Sequence, residues 1–276
     1  MLRRALLTVC FGLVGAAPHA VRIAAQTGPE PTIVLTAHAG VAVGHHLWTV
    51  DRQPLCQLTG GGGGVFNCSG QYDTLGVARD LGSSISVGLA MMYFPSSALG
   101  LHADLAYLGL PLDNHCTPIN VADANNRQVC SSISSTGVGG SAVSFDVGVI
   151  ARAAPRSNHM TAYARAGIGL LTYSQSTVQL VGTFVQGSSI YTRTVINDDH
   201  HGQASAGLTL GVGMMVPLGP GYLFRLEAGD VYARLKRVVG QADGLGVAPT
   251  DSRYYHHVAL SIGLGVVLEN RRGRRY

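Results

Sequence analysis

Apolar and polar side chains alternate with a period of two along eight segments of this chain. In the segment 32–44, apolar residues from Ile33 to Val43 occupy every second position, and Thr36 and His38 lie between them. Successive side chains of a β-strand point to opposite faces of its sheet, so the alternation predicts strands with one apolar face. The predicted strands are 32–44, 83–94, 99–110, 142–153, 161–174, 203–216, 222–233 and 254–269.

The connectors between these predicted strands are alternately long and short. The first, third, fifth and seventh connectors have about 38, 31, 28 and 20 residues, whereas the others span only 95–98, 154–160 and 217–221. Barrels of the bacterial outer membrane have short periplasmic turns and long extracellular loops. A chain that enters such a barrel from the periplasm must place its first connector outside, and the first connector here is long.

The stretch 202–224 contains 23 residues without a charge, which is the length of a transmembrane helix. Its apolar residues alternate with Gly, Ser and Thr, whereas a helix would repeat them with a period of 3.6 residues. We interpret the stretch as parts of two strands that are joined by a turn at 217–221.

The apolar faces of the predicted strands are almost free of charge along their middle. Only 12% of all residues are charged, and 37 of 276 are Gly. A barrel in lipid needs an uncharged outer wall, and by closing it pairs every backbone N–H and C=O group. We therefore predict an all-β fold, an eight-stranded antiparallel up-and-down transmembrane β-barrel, in whose narrow interior Gly makes room for larger side chains.

The N-terminus has the organisation of a cleaved export signal. Two arginines precede an apolar run at 5–17, and small residues end at Ala25. Thirteen apolar residues are too few to span a bilayer as a helix. We predict a signal peptide at 1–25, a lead-in at 26–31, an outer-membrane barrel at 32–269 and a basic tail at 270–276.

Four cysteines remain after the predicted cleavage, and an exported chain favours their oxidation. Three pairings are possible. Cys56 with Cys68 and Cys116 with Cys130 would each close a short loop within one polar segment, and we favour this pairing. A zinc site is the alternative, but the sequence has no C-x-x-C pair.

Eight ionisable side chains fall on the inner faces of the predicted strands. Either they form a catalytic or transport site, or they pair with each other, fill the lumen and fix the strand register. An eight-stranded barrel has no room for a wide channel, and buried charges persist only when paired, so we favour internal pairing. The predicted lumen network consists of His38, His102, Asp104, Asp146, Arg152, Arg165, Arg225 and Glu227.

The formal net charge of +4 suggests an acidic partner such as nucleic acid. Residues 1–25 contain three Arg, and their removal leaves 16 basic against 15 acidic residues. Without the four Arg of the tail, 12 basic residues remain against the same 15 acidic ones. The excess positive charge belongs to the signal and the tail, and we expect no nucleic-acid partner.

The last predicted strand resembles a terminal signal that the barrel assembly machinery reads, with a polar residue, a glycine and two apolar residues at fixed spacing. With the architecture of 32–268, this makes the chain similar to the small outer-membrane barrels of the OmpA-like, OmpX-like and opacity type. An aromatic residue usually closes that strand, whereas here Leu268 does and a tail follows. The predicted insertion signal is Ser261, Gly263, Val266 and Leu268.

The resemblance implies a place in the bacterial outer membrane, with membrane lipid, lipopolysaccharide and, during insertion, the barrel assembly machinery as partners. Members of the family are adhesins, tethers or lipid-modifying enzymes, so the resemblance does not decide the activity. No peptidoglycan-binding domain follows residue 269, and we expect no tethering of that kind.

Three functions remain open. We favour a non-enzymatic surface protein without cofactor or metal, whose loops serve adhesion, defence or envelope integrity. The first alternative is a lipid-A-modifying hydrolase, for which His256, His257, Ser261 and Glu227 are the residue types at hand. His257 and Ser261 are four residues apart on one strand, roughly 13 Å, which is too far for a hydrogen bond. The second alternative is a narrow pore, and the sequence identifies no extracellular ligand.

Overall fold

A computed structural model describes residues 31–60, 66–153, 160–197, 204–234, 238–240, 250–251 and 254–269. The predicted signal peptide, the tail and most of the lead-in lie outside the described residues. The described strands are β1 (Thr32–Ala42), β2 (His45–Gly60), β3 (Phe66–Leu81), β4 (Ser84–Phe94), β5 (Leu99–Asn120), β6 (Val138–Arg152), β7 (Thr161–Tyr173), β8 (Leu180–Gln186), β9 (Ser189–Asn197), β10 (Ala204–Gly219), β11 (Tyr222–Arg234), β12 (Val238–Gly240), β13 (Thr250–Asp251) and β14 (Tyr254–Glu269), and the described helix is α1 (Ala124–Ser135).

Eight antiparallel strands form a closed ring in the order β5-β4-β1-β14-β11-β10-β7-β6, and β6 pairs again with β5. The first and last strands of the ring close it, with Thr32 opposite Glu269 and Ala42 opposite Ala259. The ring confirms the predicted all-β, eight-stranded up-and-down barrel. Each of its strands begins within four residues of the predicted start, and β5 continues ten residues beyond its predicted end at 110.

The first long connector is a strand hairpin, which the alternation did not predict. Strand β2 follows β1, and β3 leads into β4. Strand β3 pairs with the end of β5 that extends beyond the barrel, from Leu81 opposite Leu112 to Thr74 opposite Asn120.

The register of β2 against β3 shifts at three places, between His46 and Trp48, after Val50 and after Cys56. Along β2 the buried positions change parity near these shifts, so no period of two extends along that strand. Along β3 the buried positions alternate from Asp73 to Leu81, but charged Asp73 and Arg79 are among them, which hides the apolar pattern.

The second long connector carries α1, which sequence reasoning also missed because Ser and Asn dominate it. Asp123 caps its first turn by accepting a hydrogen bond from the Asn125 amide. The helix packs on β8, and two of its side chains occupy the edge of that strand. Ser132 Oγ accepts from the Thr183 amide at 2.7 Å, and Gln128 Oε1 accepts from the Val185 amide at 2.9 Å. The helix therefore blocks an edge on which another strand would pair.

The third long connector forms the β8–β9 hairpin. Short strands β12 and β13 complete a four-stranded sheet in the order β13-β12-β9-β8. Four parts cover one end of the barrel: this sheet, α1, the β2–β3 hairpin and the part of β5 from Leu112 onwards. We call these four parts together the cap.

The barrel wall exposes its apolar side chains and buries its polar ones. Leu89, Ile168 and Leu264 point outwards with 64, 69 and 64% of their surface accessible. Inside, Asp104, Asp146, Arg225 and other polar residues are buried. Among the described residues, no helix has the length and apolar character to cross a membrane.

Glycines on the inner face lie where side chains of neighbouring strands cross them. A Cβ on Gly148 would approach the Ala166 carbonyl oxygen to 2.1 Å and His102 Cε1 to 2.7 Å. A Cβ on Gly88 would come within 2.7 Å of His38. The glycines thus make room for the larger inner side chains, as expected from their abundance in a narrow barrel.

We expect Gly148→Ala to lower the free energy of unfolding by about 2 kcal/mol, because the new methyl group meets backbone atoms that cannot move away. Gly139→Ala is the matched control in the same strand, since a Cβ there meets nothing within 4 Å. The measurement is the urea midpoint of the shift between the folded and unfolded bands in SDS gels. Equal midpoints for the two variants would contradict the argument.

Candidate functional site

Arg165 is the centre of the ion-pair network inside the barrel. Its Nη1 lies 3.1 Å from Asp146 Oδ1 and its Nη2 lies 2.9 Å from Glu227 Oε1. Asp104 Oδ2 is farther from Nη2, at 3.9 Å. One guanidinium therefore joins carboxylates from strands β5, β6 and β11.

A second arginine joins this network on the side of the short turns. Arg225 is 2% exposed and pairs through Nη2 with Glu227, and its Nε donates to the Tyr163 hydroxyl at 2.7 Å. Tyr163 in turn donates to Glu227 Oε2 at 2.6 Å. Tyr163 was not among the predicted network residues because its hydroxyl carries no charge, although it lies on the same face of β7 as Arg165.

Two histidines complete the network, each beside one carboxylate. His38 Nε2 lies 3.2 Å from Asp104 Oδ1, and His102 Nε2 lies 2.9 Å from Asp146 Oδ1. Thr209 also donates to Asp146 Oδ1, at 3.2 Å.

Arg152 is the one predicted network residue that the structure places elsewhere. Its Nε donates to the Ser97 carbonyl at 2.9 Å, and its guanidinium lies 3.7 Å from the centre of the Phe94 ring. Arg152 is the last residue of β6, two positions beyond buried Ile150, so an apolar layer separates it from the acids. The other seven residues come together in the lumen.

Apolar side chains fill the barrel on both sides of this network. The lower apolar layer, near the short turns, consists of Val34, Met92, Phe94, Ile150, Tyr163, Met215 and Leu223. On the other side, Leu108, Leu110 and Leu171 continue into the core of the cap. The buried charges therefore lie between two apolar layers and interact with each other.

A small polar cavity lies between the network and the cap. Its volume is about 70 Å³, and its lining includes Ser86, Asp104, Ser144, Ser261 and His257. The cavity is far smaller than a continuous aqueous channel through the barrel would be.

The core of the cap surrounds the single Trp of the chain. Trp48 is completely buried and donates from Nε1 to the Thr177 carbonyl at 3.1 Å. Arg79 lies beside it and donates to Asn114 Oδ1 and to the Gln179 carbonyl, at 2.8 and 2.7 Å. Burial lowers the pKa of Arg79 to about 10, so the guanidinium remains charged at neutral pH and joins β3 to the third connector.

Asp73 joins the first and second connectors through hydrogen bonds, as Arg79 joins the first and third. It accepts hydrogen bonds from the Asn126 and Gln57 side-chain amides, both at 2.8 Å, and from the Ala122 and Asp123 amides, at 2.9 and 3.2 Å. Burial raises the pKa of its carboxyl, but the four hydrogen bonds outweigh burial and hold that pKa below its usual value.

The two disulfides lie in this region and have the predicted pairing. Cys56–Cys68 joins β2 to β3, and Cys116–Cys130 joins β5 to α1. Both bonds confirm the sequence-based assignment. Each disulfide constrains one connector, while the hydrogen bonds of Asp73 and Arg79 join one connector to another, so that the connectors form one packed body.

The residues considered for a hydrolase do not assemble into a catalytic group. His256 points outwards and pairs with Asp230 at 2.9 Å, whereas His257 is buried inside the barrel. Glu227 is bound to two arginines. Among the described residues, no group of three His, Cys, Asp or Glu side chains is arranged to hold a metal ion.

The four residues of the predicted insertion signal lie on β14. Ser261 and Gly263 face the lumen, whereas Val266 and Leu268 are exposed on the outer wall. Leu268 lies opposite Ile33 of the first strand, so it belongs to the seam that closes the barrel. Their part in insertion stays a prediction.

The structure is similar to solved outer-membrane proteins, while no family model and no curated protein sequence matches the chain. OprG from Pseudomonas aeruginosa is 12% identical with a TM-score of 0.49, and the match covers 88% of this chain and 97% of that one. Ail of Yersinia pestis, solved with sucrose octasulfate, is 9% identical (TM-score 0.36; 87% and 99% covered), and AlkL is 12% identical (0.39; 94% and 99%). Since these scores lie below 0.5, the fold assignment rests on the closed strand ring itself.

We expect Glu227→Gln to lower the free energy of unfolding by about 3 kcal/mol, because it leaves Arg225 and Arg165 buried without their shared carboxylate. Asp230→Asn is the control, since its pair with His256 is partly exposed and contributes less than about 1 kcal/mol. Urea unfolding in detergent micelles measures both. A loss no larger for Glu227→Gln than for the control would show that the lumen pairs do not stabilise the barrel.

We expect acid to loosen the cap through Asp73. A carboxyl whose pKa is lowered by folding stabilises the folded state above its unfolded pKa, about 4, and that contribution is lost as the pH falls through the folded value. Fluorescence of the buried Trp48 measures this as a red shift below about pH 4. Asp73→Asn should show a red shift already at pH 7 and a smaller response to acid, whereas Asp80→Asn, on the outer face of the same strand, should titrate as the wild type does. Identical acid curves for wild type and Asp73→Asn would exclude Asp73 as the group responsible.

Proposed function

We propose that this protein is a non-enzymatic surface protein of the bacterial outer membrane, in which a closed barrel anchors a rigid extracellular cap that contacts a partner outside the cell. The observation that carries the proposal is the contrast between the two parts. The lumen is filled by ion pairs and apolar layers, while the connectors on one side fold into a packed, disulfide-linked body.

The outer wall supports the membrane location. Its exposed side chains are apolar, as a surface in contact with lipid requires. Exposed tyrosines lie near both of its borders, Tyr93 and Tyr222 beside the short turns and Tyr107 and Tyr254 beside the cap. Amphipathic rings at these two levels are typical of the membrane–water boundaries. The outward pair His256–Asp230 lies towards the cap border, where water is near.

The direction of the chain supports an extracellular cap. The first and last barrel strands begin and end beside the short turns, since Thr32 lies opposite both Glu269 and Phe94. Outer-membrane barrels are inserted from the periplasm and keep their short turns on that side. The cap then lies outside the cell, where disulfides persist.

The filled lumen argues against a pore as the main role. The lower apolar layer and the cap core lie on the two sides of the charged network, and the cavity between them is about 70 Å³. The ionisable groups of the network bind one another, which leaves them poorly placed for acid–base chemistry on a substrate.

The surface of the cap is the part that remains available for a partner. The exposed side of α1 and the outward face of the β8–β9 hairpin carry Ser, Thr and other polar residues, and Val181, Val185 and Ile190 are exposed on the hairpin. A rigid surface binds with little loss of conformational freedom, which is the advantage that disulfides and blocked edges give to such loops.

Epitope tags in intact cells test the proposal. A tag inserted at Gly187, at the tip of the β8–β9 hairpin, should bind antibody on intact cells, whereas a tag at Ser97, in the first short turn, should bind only after permeabilisation. The purified protein should give no steady conductance in planar bilayers, because its lumen is filled. Labelling of Ser97 on intact cells, or a stable conductance from the wild type, would overturn the proposal.

A further inference from the structure

Asp104 has fewer donors than the other two carboxylates of the lumen network, Asp146 and Glu227. Its Oδ1 lies 3.2 Å from His38 Nε2, and the residue is 5% exposed. The nearest cation to its Oδ2 is Arg165 Nη2 at 3.9 Å, which is beyond hydrogen-bonding distance. Asp146 and Glu227 each receive three or more contacts from donors of the network. A carboxylate oxygen inside a protein is normally paired with a protein donor or with ordered water.

The polar cavity described above lies next to this carboxylate. Asp104 and Arg165 both line it, together with the hydroxyl-bearing residues Ser86, Ser144 and Ser261. A polar contact longer than about 3.5 Å is commonly bridged by a water molecule, and a cavity needs only about 10–15 Å³ for each water. The cavity volume of about 70 Å³ is therefore enough for several water molecules.

Three further buried atoms of lining residues lack a protein partner. Nδ1 of His38, Nε2 of His257 and Oδ1 of Asp230 have no hydrogen bond within the described part of the chain. Both histidines line the cavity, and His257 is 2% exposed.

We propose that this cavity binds a cluster of ordered water molecules, one of which donates to Asp104 Oδ2 and accepts from Arg165 Nη2. The cluster completes the lumen network at the one carboxylate that the protein leaves partly unpaired. Water is favoured over a bound cation because the network already places Arg165 and Arg225 among its acids. Water is favoured over an empty space because dry cavities have apolar walls, whereas carboxylates and hydroxyls line this one beside apolar residues such as Leu108 and Leu210.

Long-lived water can be observed directly by NMR of the deuterated protein in micelles. We expect cross-peaks between water and the backbone amides of Ser144 and Gly229, which border the cavity. The amides of Ile150 and Leu223, in the lower apolar layer, are the internal control and should give none.

A pair of substitutions at one position assigns these cross-peaks to the cavity. Ala106 is on the cavity wall, so Ala106→Leu fills the space with apolar atoms, and Ala106→Ser leaves room for the water. We expect the Leu variant to lose the cross-peaks and to unfold at lower urea, because Asp104 loses its donor, and we expect the Ser variant to keep both.

Absence of the cross-peaks in the folded wild type would overturn the proposal, and so would their persistence in a folded Ala106→Leu variant. If the Leu variant does not fold, the wild type and the Ser variant still decide, since dry cavity amides in both exclude the cluster. Cross-peaks that disappear only when sodium is replaced by choline would assign the cavity to a cation and also overturn it. None of these outcomes depends on where the cap lies in the cell.

Discussion

Closure of the strand ring is the constraint on which the rest of this structure depends. A sheet with open edges leaves rows of backbone N–H and C=O groups unpaired, which lipid does not tolerate. The pairing of β1 with β14 removes both edges, and every wall strand then presents one face outwards and one inwards. The apolar outer wall and the polar lumen are consequences of that closure, because side chains alternate along each strand.

The narrow lumen that results has to be filled, and the way it is filled decides what the barrel can do. Polar side chains from the inner faces are buried, so their charges must find partners there. Arg165 and Arg225 bind three carboxylates, and inner glycines such as Gly148 leave room for the rings that cross them. The same pairing that stabilises the barrel also occupies the volume that a channel would need. The cap is therefore the part of the protein that is free to contact a partner.

The cap is stabilised by different interactions from those of the barrel wall. It has an apolar core around Trp48, as a soluble domain has, and hydrogen bonds from Arg79 and Asp73 join its connectors. Helix α1 occupies the edge of β8 through Ser132 and Gln128, so the exposed sheet does not offer an open strand. A barrel of this size therefore carries a body large enough to present a defined surface.

The sequence by itself determined the eight wall strands, the alternation of long and short connectors and the two cysteine pairs. Alternation is a local property of each strand, and each disulfide closes a short loop, so neither depends on distant contacts. Only the tertiary structure decided that β2 and β3 are strands, because register shifts interrupt the period of two along β2 and buried Asp73 and Arg79 interrupt the apolar pattern of β3. It also decided which inner charges meet. Arg152 and Arg165 are on the inner face of neighbouring strands, but Arg152 lies opposite Tyr163 and Arg165 opposite Ile150. Their levels along the barrel follow from this register, which no single segment contains.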